Sequence, residues 1–248
     1  MKKLYQKTWM GIDFCEFAKV SSTKLAGAEF YEAFYNELFD RYRGYEDLDH
    51  EWLIKKRELA DWICQFVAKG SRILSVGCGI GYIEYCLCRS QGELIEIHAQ
   101  DHTPIAHKWL RKSLPQNQIH YISDINNTYY NYYDLIYLSA VDYALSNHEL
   151  INILSNLRPR LNKNGRCLLI SASFLGDTPV FEKFREFVKD MAKMMLEKLH
   201  LYNRGQLWGW KRNRDEYVNL MSQANFNSIT DGCFVTEHQN TYYIIGMK

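Results

Sequence analysis

The 248-residue chain carries 30 Lys or Arg against 29 Asp or Glu, a net charge of +1, with 47% hydrophobic and 24% charged residues. That balance fits a globular protein with a sizeable buried core and argues against a general nucleic-acid binder; no apolar run reaches transmembrane length. Seven cysteines, odd in number and without a C-x-x-C pair, read as reduced thiols, so the expectation is a soluble cytoplasmic protein without a metal site.

The first seventy residues read as helical. Lys24 to Tyr42 places Phe30, Phe34 and Leu38 at four-residue steps, with Tyr31 and Tyr35 as a parallel stripe, and Gly44 follows as a stop. A second helix, about Asp49 to Lys69, carries Leu59, Trp62, Ile63, Phe66 and Val67 and closes at Gly70. No Pro/Ser-rich linker follows, so residues 1–70 are expected to form a helical cap on a domain spanning 71–248.

The chain is organised around Ile73-Leu74-Ser75-Val76-Gly77-Cys78-Gly79-Ile80-Gly81-Tyr82. A short buried strand runs into three glycines at alternate positions, and a helix can start at Tyr82. Strand, glycine turn and helix bring backbone close to a ligand at a helix N-terminus. A dinucleotide fingerprint, G-x-G-x-x-G, would need glycine where Tyr82 stands, which disfavours a nicotinamide enzyme.

Beyond it, strand and helix alternate. A second strand spans Leu94 to Ala99, and Asp101 lies 20 residues past Gly81, the interval at which a strand-end acid meets ribose hydroxyls; as an alternative, Asp101 caps the helix starting near Pro104. Strands three (Ile119 to Ser123), four (Tyr133 to Ser139) and five (Arg166 to Ser173) follow, the last after a turn at Asn162 to Gly165. A helix with Phe181, Phe184, Val188, Met191 and Met195 reads as core packing. Arg214 to Ala224 is a last helix, and Ser228 to Val235 pairs with Thr241 to Met247 as a C-terminal antiparallel hairpin.

These motifs resemble the class I S-adenosylmethionine (SAM) dependent methyltransferases from Ile73 to the C-terminus: the G-x-G-x-G loop, Asp101, Asp124, the Leu157-Arg158-Pro159-Arg160-Leu161 turn ending at Gly165, and the closing hairpin. The resemblance implies an α/β, Rossmann-like seven-stranded mixed sheet with helices on both faces. It also implies SAM as cofactor and S-adenosylhomocysteine as product. On that likeness the cofactor is held by Gly77, Cys78, Gly79, Gly81, Asp101, His102 and Ser139, with Asp124 and the Ile125 amide at the adenine; Tyr31 or Tyr35 of the cap touches the methionine part. One position departs. The family usually has Asp or Glu where Ser75 stands, so recognition of the SAM ammonium would lean on a backbone carbonyl or another acid.

An acceptor pocket beyond the strand ends would gather Asp142, Tyr143 and His148 after strand four, Phe174 to Asp177 after strand five, and a Gly205 to Trp210 loop. Asp142 and His148 are candidate general bases, although His148 equally suits the surface of the next helix. The metal-dependent branch needs an Asp-Asn pair after strand five, absent from Ser171-Ala172-Ser173-Phe174-Leu175, so no catalytic metal is expected. Between Arg158 and Arg214, 13 Lys or Arg stand against 5 Asp or Glu. Read with Trp208, Trp210 and Arg212, this segment is either a solvated face or a wall for a small anionic acceptor methylated at oxygen. The alternative function is a SAM-binding or interaction protein that has lost catalysis, for which Ser75 is the hint.

Overall fold

Strand alternation and helix periodicity resolve into eleven strands and seven helices in the computed structural model, which describes residues 2–114, 118–176, 180–199 and 201–248. In chain order these are β1 (Lys2–Gln6), β2 (Thr8–Trp9), β3 (Ile12–Asp13), α1 (Ala28–Arg41), α2 (His50–Ile63), β4 (Arg72–Val76) and α3 (Tyr82–Gln91). There follow β5 (Glu96–Gln100), α4 (Lys108–Ser113), β6 (Ile119–Ile122), β7 (Tyr133–Ser139), α5 (Asn147–Leu157), β8 (Leu161–Ile170) and α6 (Val180–Lys198). The chain ends with β9 (Gln206–Lys211), α7 (Arg214–Gln223), β10 (Asn227–Val235) and β11 (Asn240–Met247).

Seven strands form one mixed sheet in the order β10-β11-β8-β7-β4-β5-β6, parallel from β8 to β6, with β11 antiparallel to both of its neighbours. The inner strands are apolar on both sides, as they must be when helices cover both faces. Leu74, Val76, Ile136 and Leu138 pack against α5 and α7, whereas Ile73, Ile97, Leu135 and Tyr137 pack against α2, α3 and α4. The seven-stranded sheet and the hairpin agree with the sequence expectation. No helix among the described residues is long and apolar enough to cross a membrane.

A third apolar cluster joins the N-terminal segment to the glycine loop. Phe14, Phe34, Tyr35, Leu38 and Tyr45 pack with Ile80, Tyr82, Trp109, Tyr143 and Trp208. The Tyr45 hydroxyl donates to the Ile80 carbonyl at 2.6 Å, pinning the loop from above. Helix α2 lies on the sheet layer itself: the Trp62 ring packs at a tilt 4.6 Å from the Tyr243 ring, and Glu58 accepts from Thr236 and meets His238 in the hairpin turn.

Three expectations change. The chain does not begin as helix; β1 pairs antiparallel with β9, and the anticipated loop through Gln206 and Trp210 is that second strand. Five- and six-residue strands give too short an alternation to read, and the partner lies two hundred residues away. Gly209 sits at φ +151°, and a Cβ there would strike the Tyr143 carbonyl, so β9 lies directly against the chain leaving β7. The turn expected at Asn162 to Gly165 is absorbed into β8. Finally, Val188, Met191 and Met195 of α6 are exposed and not core. Periodicity shows that a helix has an apolar face, not that a sheet is free to cover it, and no described side chain of α6 joins the three apolar clusters. The side chains of Phe181 and Phe184, and Asp177, lie outside the described residues.

Candidate active site

In the sheet order, β4 has β5 on one side and β7 on the other, both parallel to it, so the order in which strands are added reverses at β4. Helices following these two strands depart to opposite faces, leaving a crevice at the strand carboxyl ends. A cavity of about 690 Å³ occupies that position, roofed by β1, the segment around Trp9 and helix α1.

Its floor is the glycine turn. Gly77, Gly79 and Gly81 all take left-handed φ values (+69°, +57° and +75°), which side-chain-bearing residues rarely adopt. Each also lies against a neighbour: a Cβ on Gly77 would meet Val141, on Gly79 the Tyr35 hydroxyl and on Gly81 Leu110. The Gln100 carbonyl accepts from the Gly77 and Cys78 amides at 2.8 and 3.0 Å. Asp101, 4% exposed, accepts from the Gly79 amide through Oδ2 and from the Thr103 amide through Oδ1, both at 2.9 Å. The acid thus braces the turn and retains lone pairs towards the cavity.

Beneath the turn lies a buried polar knot that the sequence reading missed. Glu84, on the first turn of α3 and 1% exposed, accepts from Ser75 Oγ at 2.5 Å and from the Tyr137 hydroxyl, both at Oε1. Its other oxygen, Oε2, has no hydrogen-bond partner among the described residues, and Glu84 lines the cavity together with Lys56. Burial pushes the Glu84 carboxyl above the usual carboxylate range, countered in part by Ser75, Tyr137 and the Lys56 charge. Burial also lowers Lys56, which that carboxylate raises. The available signal was a lone acid amid the buried Ile83, Leu87 and Cys88 of α3, placed nine residues after the serine that lacks the charge.

Of the expected residues, Gly77, Cys78, Gly79, Asp101, His102, Ile125, Ser139, Tyr31, Tyr35, Tyr143 and Trp208 line this single cavity. Ser139 Oγ is buried and, among the described residues, unpartnered. The Trp208 indole stacks on Tyr143 at 5.8 Å between ring centroids, and the Tyr31 ring lies 5.5 Å from Trp208. The Tyr31 and Tyr143 hydroxyls interact; burial raises Tyr31 to about 12 and Tyr143 well above its ordinary value, so both hold their protons near neutrality.

Other expected residues stand apart from the lining. Gly81 serves as the N-cap of α3, and Asp124 caps the following turn by accepting from the Asn126 amide at 2.9 Å. His148 is exposed on α5, its Nδ1 3.2 Å from the Asn152 amide nitrogen. Trp210 contributes a carbonyl that accepts from Ser173 Oγ. Asp142 and Arg212, expected as base and anion fork, are both fully buried away from the cavity lining. Asp142 Oδ2 accepts from Ser171 and Tyr217, while Arg212 donates to the carbonyls of Asp142 and Leu145 and to Asn147 Oδ1. Just past β9 the chain turns inward under the loop after β7, so Arg212 becomes a clamp on that loop. Among the described lining residues, Lys56 is the one Lys or Arg.

The comparisons with known proteins agree with this geometry. A family model described as a methyltransferase domain matches residues 49–231. Among solved structures, the S-adenosylmethionine-dependent methyltransferase SibL is similar over 95% of this chain and 64% of its own, with a TM-score of 0.61 and 14% identity. Human N-acetylserotonin methyltransferase, in complex with SAM, is similar over 90% of this chain and 56% of its own (TM-score 0.58, 16% identity). Magnesium protoporphyrin IX methyltransferase from Synechocystis PCC 6803, with bound SAH, is similar over 88% and 95% (TM-score 0.57, 14% identity). The chain therefore spans less than two thirds of the length of the first two. No curated protein matches it. The chain belongs to the methyltransferase-domain family, in its class I Rossmann-like form.

Proposed function

We propose that the protein transfers a methyl group from SAM to an acidic oxygen of a small, largely apolar or aromatic acceptor. The observation that carries this reading is one continuous cavity. It joins the glycine cradle, Asp101 and Glu84 at one end to Tyr31, Tyr143 and Trp208 at the other.

The residues present fit the cofactor on their own chemistry. The positive-φ glycines leave room where any Cβ would intrude. Asp101 has acceptor capacity left for two ribose hydroxyls, and the orphaned Oε2 of Glu84 is a buried acceptor in want of a cationic donor. Ile125 and Ser139 line the same cavity and are the residues that would meet the adenine and the sulfonium end, while Lys56 is the cation available to a carboxylate. Bound SAM supplies an electrophilic methyl on a sulfonium. The chain supplies alignment, which in well-oriented systems is worth ~7–11 kcal/mol, and a water-excluding roof from β1 and α1.

The reacting oxygen is inferred from what surrounds it. Tyr31 and Tyr143 keep their protons and so orient an acceptor without deprotonating it. Asp142 is fully buried away from the cavity lining, with Oδ2 held by Ser171 and Tyr217. Glu149 lines the cavity but is tied into the α5 capping box with Ser146, which holds its carboxyl below the ordinary range and makes it a weak base. An acceptor whose group ionises near neutrality, such as an electron-poor phenol, an acidic enol or a carboxylic acid, requires no base. Stacking Trp208 and Tyr143 favour a flat ring.

A matched panel tests this: electron-poor phenols and aromatic acids against aliphatic alcohols of similar size, scored by S-adenosylhomocysteine release. Turnover confined to the acidic group supports the reading, and equal turnover of alcohols contradicts it.

A further inference from the structure

Away from the cavity, at the amino-terminal end of the same sheet, three donor side chains converge. Parallel pairing sets His98 of β5 directly beside His120 of β6, so both rings point to one face. Glu96 stands two residues before His98 and, by the two-residue period of a strand, shares that face. The result is one carboxylate and two imidazoles whose donor atoms lie within 4.8 Å of one another.

We propose that Glu96, His98 and His120 bind a divalent transition-metal ion of the zinc type. Two imidazoles and a carboxylate suit a borderline cation, and three protein donors leave a fourth tetrahedral position for water. The supporting groups are in place. The Tyr133 hydroxyl lies 2.6 Å from His98 Nδ1 and fixes the ring so that Nε2 faces Glu96, at 2.8 Å. The Tyr132 hydroxyl donates to the Glu96 carboxylate (2.8 Å to Oε1), and its ring stacks on His98. Partners of this kind orient metal ligands from behind. His98 is buried and Glu96 half-buried, whereas His120 is exposed, so the cluster has a fixed base and an open entrance. Arg72, over the Tyr132 ring, is neutralised by Asp134. In binding, the ion takes the place of the proton between His98 Nε2 and Glu96, and that proton moves to Nδ1, which then donates to the Tyr133 oxygen. The ion would staple the four-residue edge strand β6 to β5. Glu96 opens β5 and Asp101 follows its end, ~16 Å away at ~3.3 Å per residue, so the site is separate from methyl transfer.

The test uses the full chain after chelator treatment, titrated with zinc chloride by calorimetry and with cobalt(II) by absorption. The expected result is one ion per chain, a thermal midpoint that rises with zinc, and at least tenfold weaker binding in His120→Ala. Because His120 is exposed, that variant is expected to fold. The cobalt spectrum should lack a thiolate charge-transfer band, which separates this site from the exposed Cys15 and Cys233. Absence of binding at micromolar zinc, binding unchanged in His120→Ala, or a thiolate band would each overturn the proposal.

Discussion

Ser75 Oγ donates to Glu84 Oε1 at 2.5 Å across the strand–helix junction that carries the glycine turn. A buried carboxylate thus reaches β4 from the first turn of α3, nine residues on, with Ser75 as its anchor. Substituting Glu84→Gln should weaken S-adenosylhomocysteine binding at least tenfold. Methylthioadenosine, which lacks the amino-acid end, should bind as before, and this serves as the control for folding. Adding Ser75→Asp to that variant should restore part of the loss. Parallel weakening of both ligands would show that Glu84 only supports the loop.

Glu84 also gives the apo protein a pH signature. Burial raises its folded value, so the folded chain keeps a proton that the unfolded chain releases near 4.5. Its contribution to stability is fully present below that point and is lost as pH rises through the folded value. A bound ammonium favours the charged form, so the stabilisation conferred by S-adenosylhomocysteine should grow with pH over the same window. Thermal midpoints with and without ligand measure this, and Glu84→Gln should flatten the difference.

Asp101→Ala removes the acceptor of two backbone amides along with the proposed ribose partner. The expected loss is about 1.5–3 kcal/mol in cofactor binding, at least tenfold, by calorimetry. Asp101→Asn, which keeps one oxygen, should fall between. Unchanged affinity in Asp101→Ala would remove the ribose assignment.

Gly79→Val should abolish cofactor binding while the sheet persists. The turn needs φ +57° there, and a Cβ would sit 3.1 Å from the Tyr35 hydroxyl. Normal affinity by calorimetry with a native circular dichroism spectrum would reduce the loop to a tight turn.

Arg212→Ala should lower stability and leave acceptor selectivity alone. It strands the Asp142 and Leu145 carbonyls, at about 1–3 kcal/mol for each buried group. A shifted denaturation midpoint with unaltered relative turnover of charged and neutral acceptors is the expected result. A selective loss of anionic acceptors would instead return Arg212 to the pocket.

The sheet and the cofactor crevice were legible because their signals are local. Strand β7 begins and ends where its apolar run does, at Tyr133 and Ser139, and three glycines at alternate positions need no distant partner to be read. What escaped was decided at long range. β1 pairs with β9, and this turns Arg212 inward to the carbonyls around Asp142, which removes both from the roles their residue types invite. Glu84 was hidden for a related reason: helical periodicity marks its face as buried but says nothing of Ser75 and Tyr137 waiting there.

Calorimetric titration of the unmodified chain with S-adenosylhomocysteine, beside NAD as a control, tests the central claim most directly. The geometry of the glycine turn, Asp101 and Glu84 predicts saturable binding of one S-adenosylhomocysteine per chain and none of NAD. Failure to bind S-adenosylhomocysteine, or preference for NAD, would contradict it.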